Sequence, residues 1–133
     1  MRYLAMAAGL GLAALAGACV QTPVISGKAV YEENCVMCHG PGGQGDGQLS
    51  DSLFKMPPDL TELSQRNGGV FPRNAVISTI DGYARGEHFS GAMPEFGVKL
   101  AGESVLLETG EGVVTPTPEP LVALAEYLEA IQK

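Results

Sequence analysis

Cys35-Val36-Met37-Cys38-His39 constrains this chain more than any other stretch of it. Two thiols stand three positions apart, about one helical turn, and an imidazole follows at once. A thioredoxin-like redox motif would need a βαβ context, and none precedes Cys35. A zinc site would need another pair of ligands, and only His88 and carboxylates remain for it. Three cysteines, odd in number and unevenly placed, do not make a disulfide framework. The reading left standing is haem attachment. The two thiols add across the two vinyl groups of haem, and the next residue sets an imidazole beneath the iron.

A chain of 133 residues has room for one domain and little else. It has no Trp and eight aromatics, four Tyr and four Phe, so a core of protein alone would be thin. A bound haem would supply the missing apolar bulk. Eighteen glycines and nine prolines point to long, turn-rich connections. The formal charge of −7 argues against nucleic acid, which needs clustered Lys and Arg to displace phosphate counterions. It suits a partner with a basic docking patch, because complementary charge speeds encounter.

The first 18 residues read as an export signal. Arg2 gives a short positive start, and Leu4 to Leu15 form an apolar stretch too short to span a bilayer comfortably. Small residues, Ala16-Gly17-Ala18, then precede Cys19. Ala16 and Ala18 fit ordinary signal-peptidase cleavage. Leu15-Ala16-Gly17-Ala18-Cys19 also resembles a bacterial lipobox, with Ala16 where Leu is usual, in which the cysteine becomes the lipidated first residue. The lipobox is the reading adopted, because a thiol directly after a cleavage site is otherwise unexplained. It divides the chain into a signal (1–18), a lipid-anchored tether (19–25) and one domain (26–133). Removal of the signal takes Arg2 with it and the charge from −7 to −8. Such a chain gains nothing from an anionic lipid surface, so acyl groups on Cys19 would do the anchoring in the periplasm.

Along the domain, Ser26 is placed to cap a helix running towards Cys38, with Tyr31, Cys35 and Cys38 on one face. Gly40-Pro41-Gly42-Gly43 stops it. Asp59 and Glu62 have capping-box spacing at the head of a second helix, with Leu60 and Leu63 inward, and Gly68-Gly69 ends it. Pro72 opens a third, striped by Val76, Ile77 and Ile80 and closed by Gly82. Val105-Leu106-Leu107 and Val113-Val114 flank a Gly-rich turn, readable as a small hairpin near 103–115 or as an apolar loop. Thr117 as cap and Pro118 as first residue begin the last helix, striped by Leu121, Leu124, Leu128 and Ile131.

These features together resemble the class I c-type cytochromes over nearly all of the domain. In that family a glycine lies eight residues before the first haem cysteine and an aromatic four before it, matching Gly27 and Tyr31. A Leu-x-x-Tyr pair in the last helix, matching Leu124 and Tyr127, crosses the first helix at that glycine. The resemblance implies an all-α fold, three to five helices around one covalently bound haem c, with His39 as axial ligand. It implies a distal Met after the third helix, often as Met-Pro.

Of the five methionines, Met1 and Met6 leave with the signal, and Met37 cannot reach the opposite haem face. Met56 and Met93 remain, each followed by Pro. Reach does not separate them, since even the 17 residues from His39 to Met56 extend far enough at about 3.3 Å each. Position within the family pattern favours Met93. Met56 then reads as a packing residue, and His88 as a loop histidine that would otherwise give a bis-His site. The family often has Gly-Pro after the motif, where a carbonyl accepts the proximal imidazole's proton. Gly47-Gln48 lacks that proline, which leaves the supporting carbonyl open. Arg73 and Arg85 stand as candidate propionate partners, with surface solvation the simpler role for both.

The expected function is electron transfer with His39/Met93 ligation, by a chain that is not an enzyme. Such a pair holds iron in both redox states and leaves no vacant position for catalysis. One alternative is a cytochrome subunit docked to a membrane or periplasmic oxidoreductase. A haem-based sensor or weak peroxidase would require a labile sixth ligand.

Overall fold

The computed structural model describes residues 24–83 and 93–133. Cys19, Arg85 and His88, and with them the signal and most of the tether, lie outside the described residues. Ser26 caps the first helix, α1 (Gly27–Asn34), its Oγ accepting from the Ala29 amide. Glycine costs helix propensity at Gly27, and its lack of a side chain has a clear use. A Cβ there would collide with the Ala123 carbonyl and meet the Tyr127 Cβ on the last helix. Tyr31 is fully buried, its ring centroid 5.3 Å from that of Tyr127, and its hydroxyl donates to the Gly40 carbonyl at 2.6 Å.

The helix expected to run on to Cys38 breaks at Cys35, where φ is −121°. The Cys35 amide still closes α1 on Tyr31, while its carbonyl accepts from both Cys38 and His39 and starts a new single turn, α2 (Val36–His39). The attachment motif is therefore a tight, separate turn rather than the tail of α1.

Asp59 accepts from the Thr61 amide and caps a 3₁₀ turn (Leu60–Glu62) that leads into a short helix, α3 (Leu63–Arg66). Glu62 does not complete a capping box: it pairs with Arg66 and Lys133. Helix α4 (Arg73–Asp81) buries Val76, Ile77 and Ile80 and ends on Gly82 in a left-handed conformation, as its sequence leads one to expect.

The Gly-rich stretch is a hairpin, so the fold is mostly helical with one small sheet. Strands β1 (Ser104–Gly110) and β2 (Val113–Pro118) pair antiparallel, Val105 opposite Thr117 and Leu107 opposite Thr115, with an irregularity between Glu108 and Gly110. This pairing moves the start of the last helix. Thr117 and Pro118 belong to β2, and α5 (Glu119–Ala130) begins one residue later than the Thr-Pro pattern indicates, with Pro120 in its first turn.

Helix α5 carries the core. Leu121, Leu124, Ala125 and Leu128 are buried against Tyr31 from α1, the α4 stripe, and Phe96 and Leu100. The chain end is tied down as well. Gln132 bonds the Leu60 carbonyl and the Ser64 amide, and the Lys133 amide donates to Thr61.

Candidate haem site

Breaking the helix at Cys35 turns the motif towards a cavity of about 400 Å³, within the range of small-molecule and cofactor sites. Cys35, Cys38 and His39 line it from one side. Leu53, Pro57, Leu60, Leu63, Val76 and Ile80 supply much of its apolar lining. Each arrives for a local reason: Leu60 and Leu63 through the Asp59-capped turn, and Val76 and Ile80 as the inward stripe of α4.

The loop after the motif is fitted to the motif's backbone. The Gly45 amide donates to the His39 carbonyl, Gly47 to Cys38 and Leu49 to Met37. Gly45 has φ +83°, and a Cβ there would strike the Pro57 carbonyl, so only glycine lets this loop lie against Pro57-Pro58.

That contact bears on His39. The ring is 8% exposed, and its Nδ1 lies 3.3 Å from the Pro58 carbonyl. Burial pushes the imidazole pKa down, and the Pro58 bond opposes this in part. The ring is thus neutral near pH 7. With the proton on Nδ1 facing Pro58, Nε2 keeps the lone pair that a metal requires. Pro58 is the supporting carbonyl that the sequence left open. The Gly47-Gln48 region instead satisfies Cys38 and Met37. Every residue offers a carbonyl, so only the rigid Pro57-Pro58 pair could have pointed to it.

Cys35 and Cys38 form no disulfide, and burial pushes the Cys35 thiol up to about 11, with Cys38 adding to the rise and Lys99 opposing it. Dithiol redox motifs depend on the opposite shift, a thiolate made easy to form, so this environment does not support a thioredoxin-type reading.

Met93 and Met56 both border the cavity, in different settings. Met93 is half-buried and packs against the core. Its segment is tied to α4 by Phe96 and Gly97, whose amides donate to the Ile80 and Asp81 carbonyls. Met56, on the stretch between Lys55 and Pro57, is 66% exposed and lies outside the core cluster. Arg73 pairs with Glu126 at 3.6 Å and with Glu129, which engages it on the α4–α5 surface.

The donor set fits haem. Two thiols, a neutral imidazole with its second nitrogen anchored, and an apolar slot meet in one place. The family model for cytochrome c matches residues 24–131. The chain belongs to the cytochrome c family. The cytochrome c6 of Aphanizomenon flos-aquae is 27% identical over 81 residues, which are 61% of this chain and 77% of that relative. No solved structure matches the chain. This cytochrome carries covalently bound haem c, and its work is electron transfer.

Proposed function

We propose that this cytochrome is an exported carrier that passes single electrons between redox proteins, with haem joined to Cys35 and Cys38 and ligated by His39 and Met93. The single observation that carries this reading is that these four side chains border one apolar cavity while the Pro58 carbonyl orients His39. The haem, when bound, supplies the one-electron couple. The chain's residues do the rest. Cys35 and Cys38 fix its vinyl edge, His39 presents Nε2, and the half-buried Met93 offers a soft thioether that favours the reduced iron. Leu60, Leu63, Val76 and Ile80 exclude water.

Export rests on residues 1–18 and anchoring on Cys19. Among the described residues no helix is long and apolar enough to cross a membrane. The acidic surface suits partners with a basic docking patch. Replacing Cys35 and Cys38 together by Ala tests the attachment. The double variant should yield no haem that survives acid–acetone extraction, and surviving haem would overturn the assignment.

A further inference from the structure

The charges around the cavity are unevenly spread. Among the described residues that line it, Lys55 is the one Lys, Arg, Asp or Glu. The other described cations are engaged elsewhere. Lys28 pairs with Glu32, Arg66 with Glu62, Arg73 with Glu126 and Glu129, and Lys133 with Asp59 and Glu62. Lys99 is not among the residues that line the cavity. Lys55 is exposed and forms no ion pair among the described residues.

Haem brings two carboxylates, both on the edge opposite its vinyl groups. Thioether bonds from the motif would leave those carboxylates at the other end of the slot, in a chain that already holds 15 acidic residues against eight Lys and Arg. A carboxylate against an apolar wall needs a counter-charge. Among the described residues that line the slot Lys55 is the available cation, and the stretch that bears it is held. Pro57 and Pro58 follow it with fixed φ, and the Pro58 carbonyl is bonded to His39.

We propose that Lys55 is the counter-ion of a haem propionate. The assignment rests on covalent haem and does not depend on which residue is the sixth ligand. An opposite charge close to a carboxylate lowers its pKa, so losing Lys55 should raise that of the propionate by about one unit. The test is an NMR titration of the propionate resonances in the ferric holoprotein, for wild type, Lys55→Met, Lys55→Arg and Lys99→Met. The upward shift is expected in Lys55→Met alone, with Lys55→Arg close to wild type. An unmoved titration in Lys55→Met overturns the pairing. So does an equal shift in Lys99→Met, which would reduce the effect to the general field of the surface. A wild type lacking covalent haem would fail before the titration begins, so the two ideas fail separately.

Discussion

Gly27 on α1 rests against the Ala123 carbonyl on α5, so closely that no side chain fits between them. The crossing buries Tyr31 and Leu124 completely and sets the angle at which α1 delivers the motif to the cavity. Gly27→Val should therefore destabilise the fold while leaving the haem spectrum nearly unchanged. Overpacking costs about 1–3 kcal/mol, and here the obstacle is backbone, which cannot rotate aside, so the upper end applies. The denaturant midpoint checks this. An unchanged midpoint would mean that the two helices do not meet at Gly27.

Asp59 couples the α3 turn to the chain end and should make stability depend on pH. Its carboxylate accepts from the Thr61 hydroxyl and amide and pairs with Lys133, which lowers its pKa from 3.8 to about 2. A depressed carboxylate stabilises the fold fully above its unfolded value and loses that contribution as pH falls through the folded one. Wild type should therefore weaken between about pH 4 and 2 for this reason. Asp59→Asn should be less stable at pH 7 and flatter across that window. Parallel acid titrations of the two proteins would refute the linkage.

What could be read in the residues alone follows from what is local. The α4 stripe is a fixed spacing within one helix, and the structure carries it as read, whereas the meeting of Gly27 with Tyr127 joins two distant helices and was implied by the family resemblance. The break at Cys35 was not legible, because it depends on one carbonyl serving two amides and on a loop returning to bond Met37 and Cys38. Thr117-Pro118 is a sound helix start in isolation. Pairing with β1 outweighs it, since Thr117 lies opposite Val105. Asp59 kept its cap, while Glu62 was drawn off by Arg66 and Lys133, one of them 71 positions away. Lys55 carries no motif at all. It becomes visible only once the cavity is drawn around it.

Fractionation tests the lipid anchor proposed at Cys19. Cys19→Ala should move it from the membrane fraction to the soluble periplasm, because an acidic chain has no electrostatic hold on anionic lipid. Identical fractionation of variant and wild type would refute the lipobox and favour ordinary signal cleavage.

The sixth ligand gives the sharpest test of the electron-carrier reading. Met93 packs against the buried core, whereas Met56 borders the cavity without joining that cluster. A thioether already ordered by packing loses less freedom on binding iron than an exposed one. Met93→Ala should open the sixth position to water. The ferric protein should lose the weak near-infrared-edge band that marks sulfur-to-iron ligation. Its potential should fall, because the soft thioether favours ferrous iron and water does not. Carbon monoxide, which six-coordinate wild type should refuse, should then bind the reduced form. Met56→Ala and His88→Ala, made in parallel, should alter none of these. If Met93→Ala keeps band and potential while either control loses them, that control is the ligand. Ready binding of carbon monoxide by wild type would turn the reading towards a sensor or peroxidase, since only a labile sixth position admits it.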